Sequence, residues 1–232
     1  MNVAIVVAAG KGTRLGGDRP KQFLELGGVP VIIHTLRQFE RSKQINEVIT
    51  VLPAEDTAGF QSLAQNFELT KVARVVTGGA TRAQSVRHGL NAITEADIVA
   101  VHDGVRPFVT PEEIDRTVLH AKSVGAAILV APVTDTIKEL DETCVVKTLN
   151  RNELRRALTP QCFRFETLKR AYDQLIEFED AGIEVTDDSF LVERLGLNVF
   201  VVEGSARNIK ITNESDLALA ETILREGVNV LL

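Results

Sequence analysis

The sequence predicts an α/β protein with a doubly wound, mostly parallel sheet and a projecting β-hairpin arm. Three observations predict this. Short unbroken apolar runs recur at Val3 to Val7, Val48 to Leu52, Val72 to Val76, Ile98 to Val101 and Ala127 to Val133, and they suit strands buried on both faces. Apolar residues at helical spacing lie between the runs, so strand and helix alternate. The alternation lapses from Thr134 to Leu149, where two extended segments flank Asp141-Glu142-Thr143 with no helix between them.

The 232 residues are enough for one substantial core, so a single domain over residues 1–232 is expected, with the arm at about 134–151. Hydrophobic residues at 44% and charged residues at 25% describe an ordinary globular chain. A net charge of −6 argues against broad, non-specific nucleic-acid binding. Cys144 and Cys162 are too few for a disulfide framework, which favours a reduced, cytoplasmic setting. The N-terminal apolar run has no Lys or Arg before it and soon meets glycines, so it does not read as a signal peptide. No other run is long and apolar enough to span a membrane, and no membrane partner is expected.

The first strand runs into a loop rich in glycine and cations, with Gly10, Gly12, Gly16 and Gly17 interleaved with Lys11, Arg14, Arg19 and Lys21. Glycines after a buried strand let the backbone turn its N–H groups towards an anion, and the cations add charge where a polyphosphate would lie. The same residues also fit a glycine-rich turn with solvated basic side chains. A dinucleotide fingerprint would need glycine where Leu15 stands, and the stretch has no Gly-Lys-Ser/Thr triplet for a P-loop.

Beyond the loop, Ile32, Leu36 and Phe39 place a helix over Pro30 to Ser42, and Phe60, Leu63, Ala64 and Phe67 mark a second. These carry fold and no chemistry. Gly78 to Ser85 is a second strand-to-helix turn, followed by Ala83, Val86, Leu90 and Ile93 on a helix face. Ligands of open α/β sheets bind beyond the carboxyl ends of strands, so this turn can sit beside the first and offer Arg82 and Ser85 to a base edge. An unremarkable helix start fits those residues equally well.

The next strand ends in His102-Asp103-Gly104-Val105-Arg106-Pro107. An acid there suits Mg²⁺, which takes one or two carboxylates plus substrate phosphates. A helix cap or a salt bridge to Arg106 is the other reading of Asp103, and His102 reads as structural. Thr110-Pro111-Glu112-Glu113 opens a helix with a Thr cap, Pro at the first position and Glu at the third. The arm would be marginal alone and needs something to pack on, for which a second subunit is the natural candidate. Arg151 lies at its base. Phe165 to Ala181 reads as one helix stopped by Gly182, Thr186 as the cap of a helix over Asp187 to Leu195, and Val199 to Val202 as a strand. A last amphipathic helix covers about Glu214 to Arg225. Lys210, between Ile209 and Ile211, is aimed away from both by strand alternation, and a solvated edge lysine fits that segment too.

Ala8 to Gly16 (AAGKGTRLG), followed by Pro20-Lys21-Gln22, resembles the signature of sugar-nucleotide pyrophosphorylase-like nucleotidyltransferases of Rossmann-like fold. With GGATRAQSV, HDGVRPF, PVTDTIK, ELRRALTPQ, TDD and NIKIT in order, the whole chain is similar to the 2-C-methyl-D-erythritol 4-phosphate cytidylyltransferase family. The resemblance implies transfer of cytidylyl from CTP to methylerythritol phosphate with Mg²⁺, in isoprenoid precursor synthesis, by a homodimer joined through its arms. By motif position it implies Arg14, Lys21 and Lys210 as catalytic cations and Asp103 as the metal ligand. Ala8, Ala9, Gly10, Gly12, Gly79, Ser85 and Gly104 would bind the nucleotide. Arg106, Thr136, Arg151, Thr159 and Thr186 would serve the sugar phosphate, with Thr136 and Arg151 coming from the partner's arm.

Two departures stand out: Ala80, where many relatives carry an acid, and Gly104-Val105 in place of Ala-Ala. A ribitol 5-phosphate cytidylyltransferase shares the same nucleotide half, but the Arg151 to Gln161 pattern fits the methylerythritol family better. A non-catalytic nucleotide-sensing subunit on the same fold would be free to lose Lys21, Asp103 or Lys210, and all three are present. The chain ends soon after its last helix, so no fused second enzyme is expected.

Overall fold

The computed structural model describes residues 1–10 and 20–229, with side chains to 227. A seven-stranded sheet forms the middle layer. Its first strand, β1 (Asn2–Val7), runs parallel to β4 (Glu47–Leu52) on one side and to β6 (Ile98–Asp103) on the other. Beyond β4 lies β5 (Val72–Thr77), again parallel. On the far side of β6 come β10 (Arg155–Arg164), β7 (Ala126–Pro132) and β11 (Phe200–Glu203). The short β2 (Glu25–Leu26) and β3 (Val29–Pro30) form a separate ribbon.

Both faces of the sheet are covered, which explains the unbroken apolar runs. Along β1, Ala4 and Val6 join the core on one face while Val3 and Ile5 join the other. The first face packs on α1 (Val31–Arg41), α2 (Ala54–Asn66) and α4 (Pro111–Val124). The second packs on α3 (Arg82–Asn91), α5 (Phe165–Asp173) and α7 (Asp188–Arg194). The start of α4 forms as expected: Glu113 N donates to Thr110 Oγ1 at 3.2 Å, and Thr110 N donates to Glu113 Oε2 at 2.9 Å.

The chain leaves β1 towards β4 and β5, then returns to β6 on the opposite side of β1. The reversal places a crevice between the carboxyl ends of β1 and β6, where an open α/β sheet binds ligands.

Several local expectations are corrected. The segment around Thr159-Pro160-Gln161, to which the sequence assigned no element, is part of β10, a ten-residue strand lying antiparallel between β6 and β7. Its pairing with β7 skips between Ala157 and Gln161, which accommodates a proline inside a central strand. The expected helix over Phe165 to Ala181 is two, α5 and α6 (Leu175–Asp180). They part at Gln174, whose N–H bonds Ala171 O at 3.3 Å in a tightened last turn. Asp187, not Thr186, caps α7, accepting from Phe190 N at 2.9 Å.

The arm is present as a hairpin of β8 (Lys138–Asp141) and β9 (Cys144–Thr148), and every residue of both strands is exposed. Leu140, Val145 and Val146 are each more than half exposed, at 58%, 59% and 58%. The last helix, α8 (Glu214–Asn229), packs Leu217, Ala220 and Leu224 into a small core with Leu26, Val31, Val105 and Ile211. No helix among the described residues is long and apolar enough to cross a membrane.

Candidate active site

A cavity opens at the carboxyl ends of β1 and β6. Ala8, Ala9 and Gly10 after β1 form one wall, and Gly79 to Arg82 with Ser85 form another. Lys21, Asp103 and Lys210 line it as well. Thus eight of the residues that the resemblance assigns to the site meet in one place, together with Arg82, drawn from positions spread over most of the chain. Gly12 and Arg14 lie outside the described residues.

Asp103 is the centre of charge. Its side chain is 7% exposed and faces three cations: Arg82 Nε at 3.0 Å, Arg106 Nε at 3.1 Å and Lys210 Nζ at 3.1 Å. Burial would raise its pKa, but Arg82, Lys210 and Arg106 outweigh that and hold the carboxyl well below its ordinary value. The salt bridge to Arg106 therefore exists, as the simpler reading of Asp103 expected, within a larger cluster. The cluster leaves an excess of positive charge facing the cavity, which suits a polyanion.

The segment carrying Lys210 is fastened from three sides. Arg106 Nη1 donates to Asn208 O at 3.0 Å, Asn208 Nδ2 donates to Thr159 O at 2.9 Å, and Ile211 N donates to Val105 O at 2.9 Å. Arg106 is thereby committed to Asp103 and Asn208.

Other expected ligands sit behind the wall. Thr159 is 4% exposed; its Oγ1 accepts from Asp103 N at 3.2 Å and lies 2.9 Å from His102 Nδ1. With His102 Nε2 3.2 Å from Arg106 O, the partners assign the ring proton to Nε2, so Thr159 donates to Nδ1. His102 is structural, as expected, and burial pushes its pKa down to about 3. Ser85 Oγ accepts from Gly79 N at 3.1 Å and donates to Thr81 O at 2.9 Å, so its hydroxyl shapes the loop. Gly104 also backs the wall: a Cβ there would meet Ala8 Cβ at 2.8 Å.

Thr136, Arg151 and Thr186 are exposed and do not line the cavity. Arg151 Nη1 donates to Thr134 O at 2.7 Å across the base of the arm.

Sequence reasoning missed the use made of Arg82. Rather than meeting a base edge, it reaches Asp103 and also Asp188, with Nη2 2.8 Å from Asp188 Oδ2. The second acid of the Thr186-Asp187-Asp188 run was the available signal.

Among the described residues no three His, Cys, Asp or Glu side chains come together as a metal cage. Asp103 offers a single ionised carboxylate on the cavity wall. That donor set fits magnesium arriving with a polyphosphate, since the phosphates complete its shell.

Comparison with known proteins gives the chain's family. Residues 2–226 match the family model described as 2-C-methyl-D-erythritol 4-phosphate cytidylyltransferase. A protein of that name from Bacillus velezensis is 44% identical over 224 residues, covering 96% of this chain and 95% of the relative. One from Clostridium novyi is 42% identical over 226 residues, covering 96% of each. The crystal structure of 4-diphosphocytidyl-2C-methyl-D-erythritol synthase from Anaerococcus prevotii superposes with a TM-score of 0.83 at 32% identity, covering 97% of this chain and 96% of that one. A 2-C-methyl-D-erythritol 4-phosphate cytidylyltransferase from Thermus thermophilus gives 0.77 at 33% identity, covering 97% and 100%.

Proposed function

The chain belongs to the 2-C-methyl-D-erythritol 4-phosphate cytidylyltransferase family, and from that premise we propose how its residues carry out the reaction. It is a nucleotidyltransferase of isoprenoid precursor synthesis that moves the cytidylyl group of CTP onto methylerythritol phosphate. An oxygen of the acceptor's phosphate attacks the α-phosphorus of CTP. The bond from that phosphorus to the β-phosphate oxygen breaks, and pyrophosphate leaves.

The nucleophile is already an anion, so no strong general base is required. The difficulty is to join two polyanions and to stabilise the charge that develops on the α-phosphate, which positioned cations do. Lys21 and Lys210, both lining the cavity, serve that end together with Arg14. The backbone of Ala8, Ala9, Gly10 and Gly12 holds the triphosphate, and the Gly79 loop, shaped by Ser85, takes the base. Gly104 keeps the wall thin enough for β1 and β6 to approach. Asp103 would hold Mg²⁺, which when bound neutralises triphosphate charge.

Arg106 and Thr159 act by holding Asp103 and the Lys210 segment. Thr186, two residues before the buried Asp188 that Arg82 bridges, would meet the acceptor. Thr136 and Arg151 lie at the root of the arm and reach the acceptor in a second protomer, which gives the exposed Leu140, Val145 and Val146 a surface to cover. We place the reaction in the cytoplasm, consistent with two free cysteines.

The observation that carries this reading is the single carboxylate of Asp103 among three cations, beside Lys21, at the β1–β6 crevice. The test is pyrophosphate release from CTP and Mg²⁺ with methylerythritol phosphate or ribitol phosphate as acceptor. Release with methylerythritol phosphate alone, lost in Lys21→Ala, is expected. Release with ribitol phosphate alone, or CTP binding without release, would reject the assignment.

A further inference from the structure

Arg82 stands where two buried acids need one cation. Its guanidinium reaches Asp103 on β6 through Nε at 3.0 Å and Asp188 at the start of α7 through Nη2 at 2.8 Å. The two acids are unequally served. Asp103 has Arg106 and Lys210 as well, whereas Asp188, fully buried, has Arg82 as its only ion-pair partner among the described residues. Tyr172 OH donates to Asp188 Oδ1 at 2.5 Å, completing that carboxylate's shell from α5. Gln161 Oε1 accepts from the N–H groups of Asp188 and Ser189, both at 3.0 Å, and Gln161 Nε2 donates to Asp187 Oδ2 at 2.8 Å. The start of α7 is therefore clamped by β10, α5 and Arg82 together.

We infer that Arg82 is a positioning residue that ties the acceptor side of the site, the Thr186-Asp187-Asp188 run, to Asp103 on the nucleotide side. This rests on the proposed function for the placing of the acceptor near Thr186. A guanidinium is suited to the task because it is a planar fork with several donors, able to meet two carboxylates at once. An ammonium is a single point of charge and serves one of them. Because Asp103 retains two other cations when Arg82 is weakened, the loss falls on α7 and the acceptor.

The test varies CTP and acceptor in turn for Arg82→Lys, Asp188→Asn and the double variant. Each single variant is expected to raise the KM for methylerythritol phosphate about tenfold or more while changing the KM for CTP less than about threefold. The double variant is expected to exceed the larger single effect by less than about twofold, because both substitutions cut one bridge. Tyr172→Phe removes one hydrogen bond and no charge; it should shift the acceptor KM in the same direction by a few-fold, and it serves if the charge variants fail to fold. Equal rises in both KM values, or effects that multiply in the double variant, overturn the inference.

A second readout does not depend on turnover. Amide hydrogen exchange at Asp188 and Ser189 should quicken about tenfold in Arg82→Lys, with exchange in β1 unchanged. Unchanged exchange at those two amides overturns the tie whether or not the protein accepts methylerythritol phosphate.

Discussion

Lys210 Nζ lies 3.1 Å from Asp103 Oδ2, so a cation from the last part of the chain rests on an acid at the end of a central strand. Lys210 is held at the cavity wall with its side chain partly exposed. Lys210→Ala should lower kcat/KM by roughly 10²- to 10³-fold, as loss of one preorganised charge does. Asp103 keeps Arg82 and Arg106, so the urea midpoint should move little. A large loss of stability with a small loss of rate would make Lys210 a structural residue.

Asp103→Asn should do the reverse in part. It leaves Arg82, Arg106 and Lys210 facing a neutral amide, and breaking a buried charge cluster from one side costs about 3–5 kcal/mol. Urea unfolding would show this as a lower midpoint at unchanged slope. In the native protein the Asp103 pKa is held below its unfolded value, so its contribution is present above the ordinary carboxylate pKa. It is lost as pH falls through the lowered folded value.

Histidines set the first acid step. Burial pushes His102 down to about 3, and burial also lowers His34, whose Nε2 donates to Leu26 O at 2.7 Å. In both the folded protein holds the proton less tightly than the unfolded chain, whose ordinary pKa is about 6.5, and His102 stays neutral down to about pH 3. Stability should therefore fall as pH drops below about 6.5, by up to about 1.4 kcal/mol per pH unit for each group. Thermal melts from pH 7.5 to 4.5 would show it, and the slope should be shallower in His102→Gln.

Gly78 allows the loop after β5 to lie against the loop after β1. A Cβ at Gly78 would stand 2.2 Å from Ala9 Cβ, a contact the two backbones must separate to relieve. Gly78→Ala should cost about 1–3 kcal/mol by overpacking. It should also weaken CTP binding, because both loops wall the cavity. Calorimetric titration of CTP into the variant would measure the second effect.

The arm offers a different kind of test. Asp substitutions at Leu140 and Val145 place charge on the hairpin without touching the sheet core. On the proposed arrangement they should give a monomer by light scattering, with CTP binding retained and transfer to methylerythritol phosphate lost. An unchanged oligomeric state would remove the arm from assembly.

The sequence by itself determined the strands of the parallel part of the sheet, the N-terminal cap of α4 and the hairpin, and through its motifs many of the residues that meet at the β1–β6 crevice. Those features are written in short windows: an apolar run, a Thr three residues before a Glu, a turn between extended segments. What the tertiary structure decided was partnership. Nothing local shows that β10 slips antiparallel between β6 and β7, and Pro160 argues against a central strand until the skip in pairing is seen. The same holds for Thr159, whose hydroxyl turns to His102 and the Asp103 amide rather than the cavity, and for Arg82, which joins Asp103 to Asp188. Periodicity and turn chemistry depend on near neighbours in the chain, whereas the choice of pairing partner and the direction of a polar side chain depend on which distant groups folding brings within about 3 Å.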